Sequence, residues 1–165
     1  RIAGPADAPL VAAQGRAAFL EAFASAYSQD EAAAYLRATY GPGLQDGEVA
    51  DPAVDLLLAE DALGVVGHLK LGPCTLPVAA AADAREVKRF YLLARAHGTG
   101  LASALLEEAK ALARRRGAAA LCLSCWTGNA RALAFYQRAG FTVVGSNRFA
   151  MGDRIDDDHV LQLRL

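Results

Sequence analysis

Residues 97–102 read His-Gly-Thr-Gly-Leu-Ala, with an apolar stretch before them and a helical pattern after. A strand that runs through two closely spaced glycines into a helix leaves backbone N–H groups unpaired at the positive end of the helix dipole, which is what an anion needs. Glycine suits this turn because a Cβ would hold a pyrophosphate away from the amides, and because such turns use positive φ. Two nucleotide readings fail on the flanking residues. A P-loop requires Lys and then Ser or Thr after its last glycine, where this chain has Leu101 and Ala102. A dinucleotide fingerprint requires a third glycine where Ser103 stands, and an acid closing the next strand, where the sequence is Ser124-Cys125-Trp126.

Asn129 and Tyr136 form a second group. Seven positions apart, almost two helical turns, they leave the same face of a short helix and can serve one ligand. His68, alone on a strand, reads first as a packed histidine and then as a reserve base. Cys125 would need a His or an acid beside it to carry an acyl group, and the sequence supplies neither. Cys122 and Cys125 form a Cys-x-x-Cys, but that spacing in a strand turns the two side chains to opposite faces. With Cys74 they total three, an odd number for a disulfide framework.

Residues 97–102 together with the segment from Asn129 to Phe141 resemble the two signatures of the Gcn5-related N-acetyltransferase (GNAT) superfamily. These are Gln or Arg, two residues, Gly, one residue, Gly or Ala; and Asn-x-x-Ala-x-x-x-Tyr-x-x-x-Gly-Phe. The one departure is His97 at the Gln or Arg position; because the loop acts mainly through backbone amides, it bears on a side-chain phosphate contact. The resemblance implies an α/β (α+β) fold, a mixed, largely antiparallel twisted sheet of about six or seven strands flanked by about four helices. It implies acetyl-coenzyme A as acyl donor, contacted by Leu92, His97, Gly98, Thr99, Gly100, Leu101, Ala102 and Asn129, with no metal. Tyr136 would stand near the sulfur and protonate the departing thiolate. Glu86 lies at the same distance from the glycine turn as a general-base glutamate in histone-acetylating members; it is the candidate base for a small-molecule primary amine, or else a salt-bridged strand residue. Phe19-x-x-x-Phe23-x-x-x-Tyr27, Glu86-Val87-Lys88-Arg89-Phe90-Tyr91 and the Phe149 to Asp153 stretch look most like the bacterial spermine/spermidine-type branch. A non-catalytic module that binds acyl-coenzyme A shares the turn and diverges at Glu86 and Tyr136.

The elements that must hold these residues follow from periodicity and punctuation. Asp7 is expected to cap a helix reaching about Tyr27, and Ser28-Gln29-Asp30-Glu31 has capping-box spacing for a second helix, ended by Gly41-Pro42-Gly43. Phe19, Phe23 and Tyr27 fall on one stripe, for core packing or for a wall of the acceptor pocket. Strands are predicted at 54–59 and 65–71 around a turn at 60–64, then a mobile loop at 72–85. Strands at 86–93, 121–125, 141–145 and 159–165 alternate with helices at 98–116 and 129–139. Asp153, Asp156, Asp157 and Asp158 read as a solvated turn, or as a patch for a cationic acceptor.

At 165 residues and 54% hydrophobic content the chain fits a single domain over 1–165. Seventeen basic against eighteen acidic residues give a formal charge of −1, which offers no general attraction to nucleic acid or to an anionic membrane. Arg114 to Arg116 reads as solvated surface at a helix end. No apolar stretch has transmembrane length and no signal-peptide order opens the chain, so a cytoplasmic enzyme is expected; a homodimer is compatible with the sequence. The chain begins with Arg1 rather than Met, and a first strand is expected to lie partly before it.

Overall fold

The computed structural model describes residues 1–79, 83–151 and 154–165. Residues 55–59 of β1 (Asp55–Asp61) are buried without a break, because both faces of the strand are covered. Leu56 and Leu58 cluster with Val11 of α1 (Ala8–Phe23), whereas Leu57 and Ala59 cluster with Leu105, Ala109 and Leu112 on the other face. Each such leucine removed from water contributes about 1.5–3 kcal/mol before entropy is counted. The helices α1, α2 (Gln29–Tyr40) and α3 (Leu44–Ala50) precede β1; β2 (Gly64–Pro73) and β3 (Ala84–Leu92) follow it. Then come α4 (Leu101–Arg115), β4 (Ala120–Trp126), α5 (Ala130–Arg138), β5 (Thr142–Met151) and β6 (Arg154–Arg164).

The six strands form one sheet in the order β1-β2-β3-β4-β6-β5, antiparallel except where β3 meets β4. This is the mixed, mostly antiparallel sheet that the resemblance implied. Residues 1–3 add to the edge: Ile2 bridges Leu57, and Ala3 N–H donates to the Leu56 carbonyl at 2.8 Å. β3 and β4 pair only through Ala84, Arg85 and Glu86 against Ala120, Leu121 and Cys122; beyond that the two strands part.

Several boundaries differ from the sequence reading, for physical reasons. α1 stops at Phe23, so Tyr27 reaches its aromatic neighbours from the turn that follows. Asp7 makes no capping bond, because its carboxylate is taken by Arg1, at 2.7 and 2.9 Å, and by the Gly4 N–H. Ser28 and Glu31 do form the capping box, with Glu31 accepting from Ser28 N–H at 2.8 Å. α3 was not anticipated, being one short turn-like helix after Gly43. α4 begins at Leu101, since Gly98 and Gly100 hold positive φ. The 72–85 segment is entered by β2 to Pro73 and left by β3 from Ala84, and Leu76 within it is buried; residues 80–82 lie outside the described ones. β5 and β6 run well beyond the expected 141–145 and 159–165, so Asp156, Asp157 and Asp158 sit in a strand rather than a turn; Asp153 lies outside the described residues. Arg116 is not merely solvated, because its guanidinium donates to Asp55 at 2.8 Å.

Candidate active site

The turn after β3 has the form an anion site needs. Gly98 and Gly100 adopt φ of +77° and +87°, and the space a Cβ would enter at each is open. The N–H groups of Gly98, Thr99, Gly100, Ala102 and Ser103 have no acceptor among the described residues, while Leu101 N–H leans on Thr99 Oγ1 at 3.4 Å. Thr99 in turn donates its hydroxyl to the Ala96 carbonyl at 2.8 Å, which holds the turn shut on itself. His97 is exposed, and its side chain points to partners within the chain. Its Nδ1 accepts from Arg131 at 2.7 Å, so the proton rests on Nε2, which donates to the Leu92 carbonyl at 3.3 Å. A guanidinium from α5 therefore stands at the turn. Sequence reading missed Arg131, although a basic residue two positions after Asn129 was its signal.

The parted strands open a cavity of ≈ 340 Å³ that draws on both faces of the sheet. Glu86 and Tyr91 come from β3, Ser124, Cys125 and Trp126 from β4, Asn129 and Tyr136 from the α5 segment, and Phe19, Phe23 and Tyr27 from the α1 side. The aromatic stripe is thus core and wall at once: Phe19 is 1% exposed, yet it lines the cavity with Phe23 and Tyr27. Trp126 closes on it, its ring centroid 6.4 Å from Phe23 and 6.2 Å from Tyr27. Gly128 permits this, since a Cβ there would lie 2.4 Å from the Trp126 ring.

Tyr136 is buried among Phe90, Phe135 and Phe141, and its hydroxyl makes no hydrogen bond among the described residues without being sealed in the core. Burial pushes its pKa well above the tyrosine range, so it carries its proton. Asn129 is the N-cap of α5: its Oδ1 accepts from Ala132 N–H at 3.1 Å, which leaves its amide N–H₂ for a ligand. Glu86 is 8% exposed. One carboxylate oxygen accepts from Thr75 N–H at 2.8 Å, Thr75 Oγ1 at 2.9 Å and Lys88 Nζ at 2.9 Å, and the other has no bond among the described residues. Lys88 is also the extra residue of a bulge, because Lys70 pairs with Arg89 and Leu71 with Val87.

The remaining candidates fall away from the chemistry. His68 is fully buried, bonded through Nδ1 to Gln14, and burial drives its pKa down to about 3. Cys125 packs in the Tyr136 cluster and Cys122 in the Leu76 cluster on the other face, with burial pushing their thiols up to about 12 and about 11. Such thiols stay protonated and unreactive at neutral pH.

A family profile described as "Acetyltransferase (GNAT) family" matches residues 16–141. The chain belongs to the GNAT acetyltransferase family. This GNAT chain is 29% identical over 157 residues to an uncharacterized N-acetyltransferase of Mycobacterium tuberculosis (strain ATCC 25618 / H37Rv), covering 94% of this chain and 96% of that protein. An uncharacterized N-acetyltransferase of Mycobacterium bovis matches equally, at 29%. Among solved structures, the PaiA N-acetyltransferase of Thermoplasma acidophilum in complex with coenzyme A superimposes with a TM-score of 0.82 at 18% identity, over 100% of this chain and 97% of that one. A putative acetyltransferase of Salmonella typhimurium, solved with acetyl-coenzyme A, gives 0.68 at 22% identity, over 100% and 92%. The GNAT fold is therefore shared with proteins crystallised on the coenzyme. No helix among the described residues is long and apolar enough to cross a membrane.

Proposed function

We propose that residues 1–165 act as one N-acetyltransferase domain that moves the acetyl group of acetyl-coenzyme A directly to a primary amine of a small molecule, both substrates bound together. The observation that carries this reading is the wedge between β3 and β4, which leads from a turn with five undonated amides to a cavity holding Tyr136. The turn residues His97, Gly98, Thr99, Gly100, Leu101 and Ala102 would take the pyrophosphate, with Arg131 bringing the cation that His97 lacks. Leu92 and Asn129 would flank the pantetheine. Attack by the amine on the thioester carbonyl forms the C–N bond, and the C–S bond breaks as Tyr136 gives its proton to the sulfur. Glu86 is the proposed proton acceptor through its free carboxylate oxygen. The bulged Lys88 offers a backbone amide to the carbonyl oxygen, because no β2 residue pairs with it.

A polyamine-like acceptor suits walls of Phe23, Tyr27 and Trp126 with carboxylates among them. A second copy of the chain is compatible with the exposed edge strand β5, and the reaction proposed needs no partner macromolecule. Thiol release from acetyl-coenzyme A, measured across a panel of small amines, tests the reading. Amine-dependent release with matching acetylated product is expected. Tight coenzyme binding with no amine-dependent release would instead mark a binding module.

A further inference from the structure

Among the described residues, the charges around the cavity pair off, with one exception. Glu86 is matched by Lys88 at 2.9 Å, Arg89 by Glu48, and Asp156 by Arg154 at 2.8 Å. Asp156 is further occupied by the Tyr27 hydroxyl at 2.6 Å, so both its oxygens are engaged. Asp158 has no cationic partner among the described residues. Ser124 donates to one of its oxygens at 2.6 Å, while the other makes no hydrogen bond there and is not sealed from the cavity. The residue is only 7% exposed. Burial and the neighbouring Asp156 and Asp157 push its pKa up, a sign of charge held without compensation. A cation entering beside it would supply that compensation. The walls favour one as well: Asp158 pairs in register with Trp126, and the Tyr27 ring already holds the Arg154 guanidinium 4.9 Å from its centroid.

We propose that Asp158 binds a second, protonated amino group of the acceptor, distinct from the nitrogen that receives the acetyl group. This rests on the acetyltransferase reading above. A carboxylate in contact with an amine favours its ammonium form, and an ammonium cannot attack a thioester. The amine held by Asp158 is thus kept out of the reaction, and its partner nitrogen reacts. The spacing allows both ends. Ser124, which holds Asp158, stands two positions beyond Cys122, the residue paired with Glu86, or roughly 7 Å along the strand.

The test compares an α,ω-diaminoalkane with the n-alkylamine of equal length, at saturating acetyl-coenzyme A, in the wild type, Asp158→Asn and Asp158→Glu. The wild type is expected to favour the diamine in kcat/KM. Asp158→Asn should cut the diamine-to-monoamine ratio by about tenfold or more, chiefly through the KM of the diamine, and Asp158→Glu should restore part of it. An unchanged ratio in Asp158→Asn, or an equal loss on both amines, overturns the role given to Asp158. Wild-type turnover of both amines without preference for the diamine also overturns it, yet leaves the acetyltransferase reading standing. Turnover of neither removes both.

Discussion

Replacing Tyr136 with Phe takes one oxygen from a ring whose packing on Phe90, Phe135 and Phe141 would survive. Turnover is expected to fall roughly 10²-fold, with the KM for acetyl-coenzyme A nearly unchanged, when single-turnover rates are measured. An unchanged chemical step would remove Tyr136 from proton transfer. Glu86→Gln tests the other side of the reaction: the rate should rise toward higher pH than in the wild type, because free amine must then come from solution. An identical pH profile would assign Glu86 to holding Thr75 and Lys88. The positions of Tyr136 and the glycine turn were legible in the sequence because their spacing is local to one helix and one turn; the roles proposed for them rest on the family resemblance. Asp158 was not. A run of aspartates reads as a loop, and only pairing of β6 with β4 sends Asp156 and Asp158 inward while Asp157 stays exposed. Arg131 was missed for a similar reason, since its value depends on α5 lying beside the turn.

At the level of elements, the turn depends on backbone conformation more than on side chains. Gly100→Val forces a β-branched residue into φ of +87°. The KM for acetyl-coenzyme A is expected to rise at least about tenfold; the strained backbone also lowers the melting temperature, but with no added clash, since the Cβ meets open space. A large loss of stability with unchanged KM would mean the turn serves the fold instead. Helices α4 and α5 and most strand positions were readable from periodicity, and the capping box at Ser28 marked α2 correctly. The errors lie where tertiary pairing decides. β5 and β6 extend each other across Met151 and Arg154, far past the apolar core of either strand. Asp7 lost its capping role to Arg1, a contact between the chain's start and α1 that local sequence does not encode.

In the molecule as a whole, His68 couples the fold to pH. It is fully buried and neutral, with its pKa lowered from 6.5 to about 3, so the unfolded chain binds a proton that the folded one refuses. Its contribution to stability is complete above about pH 6.5 and is lost as pH falls toward 3, at up to about 1.4 kcal/mol per pH unit. Denaturant unfolding between pH 7 and 5 should show this slope in the wild type, and His68→Gln should flatten it. A wild type equally stable across that range would refute the assignment.

The sheet itself is two three-stranded blades joined by a few rungs at one end. Past Glu86 and Cys122 each blade has an interior border of backbone groups facing a gap instead of a neighbour. Acetyl-coenzyme A laid between β3 and β4 would then act as a removable rivet: present, it locks the blades; spent and released, it lets them flex. The catalytic cycle would accordingly be a mechanical one as well, with the enzyme at its stiffest while both substrates are in place.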